Sequence, residues 1–279
     1  MSVGEALAYG TNVLAESGID TARLEAELLL AKVCDDCARA LLYMELHREL
    51  GEEAETEYRE LLARRAQREP LAYILGCWGF RRLTLKTDRR ALIPRPETEI
   101  VVERALEHLR GLDDPRVLDV GTGTGAIALA IVDEHPGARV TAIDVSNEAL
   151  ALARENRDLI GVNGRLRLVE HDLTDGLGND AFDLVVSNPP YVEPEDIDGL
   201  QPEVRDWEPR IALVAHGATE AVARAATEAL RPGGWVVLEI AENQATNVAA
   251  LLGELGYGHL RISPDMAGRD RVIEAQWSR

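Results

Sequence analysis

Val117-Leu118-Asp119-Val120-Gly121-Thr122-Gly123-Thr124-Gly125 is the stretch that decides the fold. An apolar run carrying one acid passes straight into three glycines that alternate over five positions. A buried strand turns this way into a helix, leaving backbone N–H groups free to approach a ligand. Helical periodicity follows over residues 125–132. The same alternation then repeats downstream. Strands are expected at 138–143, ending at Asp144; at 166–169, ending near Asp172; at 182–187, ending at Asn188; and at 235–240. Helices are expected at 147–159, 218–230 and 244–255. Two last strands, near 259–263 and 271–277, have no helix between them and are expected to pair as an edge hairpin. With the strand that begins at Arg116 this makes a seven-stranded, mostly parallel, doubly wound α/β sheet.

Upstream the character differs. Residues 1–70 read as a small helical bundle: a stripe of Leu7, Val13 and Leu14; a second of Leu24, Leu28 and Leu29 after Thr21 as N-cap; a short third helix around Leu41, Leu42 and Leu46; and a charged helix with Tyr58, Leu61 and Leu62 on one face. Pro70 breaks the pattern. Residues 71–94 read as a β-hairpin linker, with Leu83-Thr84-Leu85-Lys86-Thr87 alternating at period two and Trp78 and Phe80 in its core. Pro94 and Pro96 end it, and Glu97 opens a helix. The domains are therefore read as 1–70, 71–94 and 95–279.

Of the 279 residues, 46% are hydrophobic and 28% charged, which excludes a disordered chain. No run of about 18 apolar residues is present, so no membrane span is expected. The first residues lack the basic start and apolar core of a signal peptide, and a cytoplasmic protein is expected. The net charge of −19 weighs against a long bound tract of nucleic acid, which needs phosphate neutralisation. Cys34 and Cys37 form a lone C-x-x-C. Without a second pair or a histidine pair they do not complete a zinc set, and Asp35 and Asp36 oppose a reactive thiolate. No metal site is expected.

The glycine loop has three readings: a bare turn, a dinucleotide cradle, or a site for an amino-acid-bearing nucleoside. The dinucleotide fingerprint is G-x-G-x-x-G, whereas here the third glycine comes one residue early. The tighter loop, with an acid two residues before it, suits a zwitterionic amino-acid moiety and its ribose. Asp144 can accept both ribose hydroxyls, or can cap the next helix in competition with Ser146. The Asp172 carboxylate can take the adenine amino group, while the Leu173 N–H donates to a ring nitrogen.

Ser187-Asn188-Pro189-Pro190-Tyr191 follows the fourth strand. It reads either as a structural turn or as a presented group, and the expected place of its strand beside the glycine-loop strand favours the second. Two acceptors, the Asn188 side-chain oxygen and the Pro189 carbonyl, can hold the two N–H groups of a planar nitrogen. Tyr191 can stack on it. Such a site suits methylation of an amide or of an adenine amino group, and the tetrapeptide leaves the two open. The acidic charge favours a protein substrate.

At this point the chain resembles the bacterial release-factor glutamine N5-methyltransferases. The resemblance is carried by Glu69-Pro70-Leu71-Ala72-Tyr73-Ile74-Leu75-Gly76, Leu92-Ile93-Pro94-Arg95-Pro96-Glu97-Thr98-Glu99, the glycine loop, Asn188-Pro189-Pro190-Tyr191 and Trp207-Glu208-Pro209. It implies a class I (Rossmann-like) methyltransferase domain behind a helical domain that grips the substrate protein. It implies S-adenosylmethionine as cofactor, bound by Gly121, Thr122, Gly123, Thr124, Gly125, Asp144, Asp172, Leu173 and Asn188, with Arg95, Pro96 and Glu97 lining the pocket. It implies as substrate the glutamine of the Gly-Gly-Gln loop of class I peptide release factors, held by Asn188, Pro189, Pro190 and Tyr191, and hence a part in translation termination. A monomer is expected. Three positions depart from the family pattern: Arg82 stands for a usual glycine, Gly79 for a frequent glutamate, and Leu173 for an aromatic found in some members. Rival readings are a ribosomal-protein glutamine methyltransferase, a nucleic-acid adenine methyltransferase and a non-catalytic cofactor-binding module.

Overall fold

The computed structural model describes residues 1–34, 39–162, 164–178 and 181–278, so Cys37 and its C-x-x-C pairing lie outside the described residues. The chain forms two compact units. One is Met1–Gly76 together with Gln201–Trp207, and the other is Cys77–Leu200 together with Glu208–Arg279.

In the first unit, α1 (Val3–Glu16) opens with a capping box. The Glu5 N–H donates to Ser2 Oγ at 3.3 Å, and the Ser2 N–H donates back to Glu5 Oε2 at 2.8 Å. Next come α2 (Ala22–Val33), α3 (Arg39–Leu42), α4 (Glu52–Ala66) and α5 (Leu71–Leu75). Leu7, Leu14, Ala26, Leu29, Leu30, Tyr58, Leu62 and Ile74 form their common core. Two expectations fail on α2. Leu24 is exposed, while Glu25 and Glu27 face inward. Thr21 does not cap the helix, because its hydroxyl donates to Glu25 Oε1 at 2.7 Å. The inward acids are matched by arginines. Arg65, itself buried, gives Nε to Glu25 at 2.5 Å and Nη2 to Glu203 at 2.8 Å, and Arg68 reaches the second Glu203 oxygen at 2.8 Å. A pattern of hydrophobic residues alone misses a face built from ion pairs.

Residues 71–75 also depart from the sequence reading, forming a helical turn rather than the start of a hairpin. A short apolar run does not distinguish the two by periodicity. Here Pro70 sits at the N-cap, and Gly76, at φ +75°, ends the turn.

The hairpin itself is β1 (Cys77–Phe80) and β2 (Leu83–Lys86), opening the second unit. Phe80 and Leu85 are buried, and Trp78 is half-buried. The left-handed position in its turn is Arg81, at φ +51°, not Arg82, so the missing glycine at 82 costs nothing there. Arg81 is tied down by its N–H to Glu99 at 2.9 Å and by its guanidinium to Glu134 at 2.8 Å.

The order continues α6 (Thr98–Leu109), β3 (Arg116–Val120), α7 (Ala126–Glu134), β4 (Arg139–Asp144), α8 (Asn147–Ile160), β5 (Leu166–Glu170), β6 (Phe182–Ser187), α9 (Pro202–Arg205, in the first unit), α10 (Ala218–Ala229), β7 (Leu230–Glu239), α11 (Ala245–Leu255), β8 (Tyr257–Pro264) and β9 (Asp270–Trp277). The seven strands from β3 to β9 lie in the order β5-β4-β3-β6-β7-β9-β8. The first five are parallel, and β9 and β8 pair antiparallel at the edge. Successive side chains point to opposite faces, so each strand feeds two cores. Val117, Leu184 and Val186 pack with Val101, Val102 and the apolar α7 on one side. Leu118, Val185 and Val236 pack with Val222, Ala226 and Leu252 on the other. β7 starts five residues earlier than the apolar pattern suggests. Arg231-Pro232-Gly233-Gly234 loops out between the pairs Phe182–Leu230 and Leu184–Trp235, which hides the first pair from a sequence reading.

From β3 the sheet grows to β4 on one side and to β6 on the other, and ligands of such sheets bind where the order reverses. Val120 pairs with both Ile143 and Ser187, so three strand ends finish level. Asn156 on α8 locks this corner. Its Oδ1 accepts the Lys86 N–H at 2.7 Å, and its Nδ2 donates to the carbonyls of Thr124 at 2.9 Å and Lys86 at 3.2 Å. Among the described residues no helix is long and apolar enough to cross a membrane, and no cluster of metal-ligating side chains occurs. Asn156→Ala strands these buried groups and is expected to cost about 2–3 kcal/mol, read as a lower urea midpoint at unchanged slope.

Candidate active site

A cavity of about 420 Å³ opens at the level strand ends, within the range of small-molecule sites. The glycine loop forms its floor. The N–H groups of Gly121 and Thr122 both donate to the Ile143 carbonyl, at 2.9 and 3.0 Å, pinning the loop to β4. The Gly123 N–H donates to Asp144 Oδ2 at 2.8 Å, and the Ser146 N–H to Asp144 Oδ1 at 2.9 Å. Ser146 Oγ caps α8 by accepting the Ala149 N–H at 3.2 Å. The cap is therefore Ser146, and Asp144 is left on the cavity wall. Burial raises its pKa above the usual carboxylate value, against the pull of those N–H groups.

Two of the glycines do different work. Gly121, at φ +73°, lines the cavity, and a Cβ there would meet nothing within 4 Å, so it would project into open space. Gly125, at φ +84°, is not on the wall. A Cβ there would press on Leu129 at 3.1 Å and Ala153 at 3.4 Å, so its glycine serves packing between α7 and α8. Asp119 also differs from the sequence reading. It is fully buried behind the loop, off the cavity wall, and Oδ2 accepts the Thr122 hydroxyl at 2.6 Å. Burial pushes its pKa up to about 7.

Asn188, Pro189 and Pro190 stand on the opposite wall, carried there by β6 beside β3. Ser187 Oγ donates to the Val120 carbonyl at 2.7 Å and ties the two strand ends together. Asn188 Nδ2 donates to Thr98 Oγ1 at 3.1 Å, and Thr98 donates on to Glu239 at 2.7 Å. Tyr191 is drawn elsewhere. Its hydroxyl donates to Glu239 Oε1 at 3.2 Å, and the residue lines a neighbouring cavity with Val192, Gly217 and Gln244. The structure therefore does not bring Tyr191 onto the wall that Asn188 occupies. Asp172 and Leu173 do line the cavity. The Asp172 carboxylate is engaged locally, with Oδ1 accepting the Thr174 N–H at 2.8 Å and hydroxyl at 2.7 Å, which also lowers its pKa.

The remaining wall is the 90–95 loop with Pro209, Ile211 and Ala212. Arg95 lines the cavity as expected, but Pro96 and Glu97 do not, and Thr98 does. Glu208 holds this wall. Its buried carboxylate accepts Arg95 Nη2 at 2.5 Å and the Ile93 N–H at 3.4 Å. Burial raises its pKa despite the arginine. Sequence reasoning assigned no role to Glu208, Thr98 or Glu239. A signal for Glu239 was present: Val236-Val237-Leu238-Glu239 is an apolar strand that ends on an acid, as β4 does at Asp144.

Comparison with known proteins places this geometry. Residues 5–76 match the family model described as the PrmC N-terminal domain, and residues 98–201 match the Methyltransferase small domain. A release factor glutamine methyltransferase of Chlorobaculum tepidum is 43% identical over 284 residues, covering 98% of this chain and 96% of its own. One from Deinococcus radiodurans is 42% identical, with 99% of each chain covered. The chain belongs to the release factor glutamine methyltransferase family. It carries the fold of an S-adenosylmethionine-dependent methyltransferase. That fold is shared with a solved S-adenosylmethionine-dependent O-methyltransferase of Thermotoga maritima, at TM-score 0.51 and 16% identity over 67% of each chain.

Asp119 supplies a test of the loop's electrostatics. Its ordinary pKa is about 3.9 and its folded pKa about 7. Stability from the folded chain's preference for the protonated form is fully present below about pH 4. It is lost as pH rises toward about 7. Asp119→Asn cannot ionise, so its stability relative to wild type is expected to improve between those limits in urea melts. A difference that stays constant across the window would refute the buried, protonated aspartic acid.

Proposed function

We propose that the chain transfers the methyl group of S-adenosylmethionine to the side-chain amide nitrogen (N5) of the glutamine in the Gly-Gly-Gln loop of class I peptide release factors. The observation that carries this is one cavity walled on one side by the glycine loop and Asp144 and on the other by Asn188, Pro189 and Pro190. The cofactor fits the residues present. The space beyond Gly121 is open, Asp144 offers a carboxylate to a ribose, and Leu173 offers an apolar surface beside Asp172. When bound, S-adenosylmethionine supplies an electrophilic methyl group.

The chain's own contribution is positioning. An amide nitrogen is a weak nucleophile because its lone pair is delocalised into the carbonyl. Two acceptors that take its two N–H groups hold the nitrogen in place, with its out-of-plane lone pair facing the donor side of the cavity. Asn188 Oδ1 and the Pro189 carbonyl are those acceptors in this reading. The paired prolines stiffen the turn that carries them. The nitrogen becomes strongly acidic as it gains the methyl, so no strong base is needed beforehand, and its surplus proton passes afterwards to an acceptor that holds it or to water. Rate comes mainly from orientation and fixed dipoles. The Tyr191 hydroxyl is held by Glu239, and the residue lines the neighbouring cavity, so this reading gives the holding of the amide to Asn188 and Pro189.

The net charge of −19 supports a protein substrate over a nucleic-acid one. The helical unit, matched by the PrmC N-terminal model, is the part expected to hold the release factor away from its reacting loop. Purified release factor incubated with the enzyme and cofactor is expected to gain one methyl on the Gly-Gly-Gln peptide by mass spectrometry, and a Gly-Gly-Ala variant none. Methylation of both alike would defeat the assignment. Asp144→Ala is expected to weaken cofactor binding by about 1.5–3 kcal/mol, the range for hydrogen bonds to a charged group. Unchanged affinity by calorimetry would remove Asp144 from the ribose.

A further inference from the structure

Asn188 has two ends, and only one of them can hold a substrate N–H group. Oδ1 can accept an N–H group; Nδ2 cannot. The terminal torsion of an asparagine is broad and two-fold, so the side chain alone does not choose between them. The choice is made behind it. Nδ2 lies 3.1 Å from Thr98 Oγ1, and the same hydroxyl lies 2.7 Å from Glu239 Oε2. A hydroxyl has a single hydrogen, and an ionised carboxylate can only accept. With Glu239 ionised, the Thr98 hydrogen is committed to it, and toward Asn188 the Thr98 oxygen can only accept. Nδ2 is drawn inward, and Oδ1 is turned out.

The surroundings reinforce this order. Glu239 has no exposed surface, so water does not compete for its oxygens. Its second oxygen takes the Tyr191 hydroxyl at 3.2 Å. Burial, joined by the charge of Glu97, raises its pKa above the usual carboxylate value, against the pull of both hydroxyl donors and of Arg271, so the relay is a property of the ionised form. The four groups come from three places in the chain: the start of α6, the end of β7 and the turn after β6.

We infer that Glu239 and Thr98 form a polarity relay that sets the sense of the Asn188 carboxamide, which makes them positioning residues for methyl transfer and selectors of a substrate bearing two N–H groups. This rests on Asn188 Oδ1 being the substrate's acceptor, as proposed above. Glu239→Gln breaks the relay, because a carboxamide can donate to Thr98 and release its hydrogen toward Asn188. Thr98→Val removes the hydroxyl at nearly constant volume.

The test measures methylation of purified release factor by the full-length enzyme, with cofactor affinity by calorimetry and unfolding midpoints alongside. Thr98→Val and Glu239→Gln are expected to lower kcat by roughly tenfold to a hundredfold, the scale of a misplaced reacting group, with much smaller changes in cofactor affinity. Thr98→Ser restores the hydroxyl and is expected to recover most of the turnover lost in Thr98→Val. In an Asn188→Ala background, Thr98→Val is expected to cost little more, because the two act through one group. Equal losses in both backgrounds would overturn the relay. So would full turnover in Thr98→Val and Glu239→Gln when Asn188→Ala is inactive, and that result would leave the assignment of Asn188 standing. Full turnover in Asn188→Ala would overturn both.

Discussion

The pairing of Val120 with Ile143 on one side and Ser187 on the other is the constraint on which the site depends. Parallel strands in register end level, so the groups just beyond them are delivered to one place from distant parts of the chain. Gly121 and Thr122 hang their N–H groups on the Ile143 carbonyl, and Ser187 returns a hydroxyl to the Val120 carbonyl. The loop and the Asn-Pro-Pro turn are thus fixed by backbone and near-backbone bonds before any ligand arrives. A slip of one residue in either ladder would turn every side chain of that strand to the opposite core.

Around this frame the walls are held by buried acids. Asp119 ties the loop through Thr122, Glu208 clamps Arg95 and the Ile93 N–H, and Glu239 gathers Thr98 and Tyr191. In each case burial raises the acid's pKa, and hydrogen bonds oppose it. Leaving such a group unpartnered is expensive, so each one specifies its neighbours more strongly than an apolar contact would. The same logic shapes α2, where Glu25 faces inward because Arg65 is there to meet it.

These pairings explain which parts were legible in the sequence. The sheet was, because alternating strand and helix patterns repeat at short range and the glycine loop is a local signature. The edge hairpin and the strand ends at Asp144 and Asn188 followed from the same local rules. The partners of Asn156, Glu208 and Glu239 lie many tens of residues away and leave no local trace. From sequence, Tyr191 belongs with Asn188 because both end one tetrapeptide, yet it lines the neighbouring cavity; its hydroxyl goes to Glu239, one hydrogen bond that only the folded chain reveals. Residues 71–75 are ambiguous at any range, since five apolar residues fit a helical turn as well as a strand.

The path of the chain through Gln201–Trp207 bears on how the protein is made. This segment belongs to the first unit, although it is encoded after most of the parallel sheet. Arg65 and Arg68 find Glu203 only 138 and 135 residues later. At elongation speeds of about 5–20 residues per second that gap is on the order of 10 s. During this interval a nascent N-terminal unit holds the Arg65–Glu25 pair without its second acid. Its helices can pack as they emerge, but its final charge balance waits until the glycine loop and the Asn-Pro-Pro turn have both left the ribosome. The unit that comes first in the gene is thus completed only after most of the parallel sheet has been made.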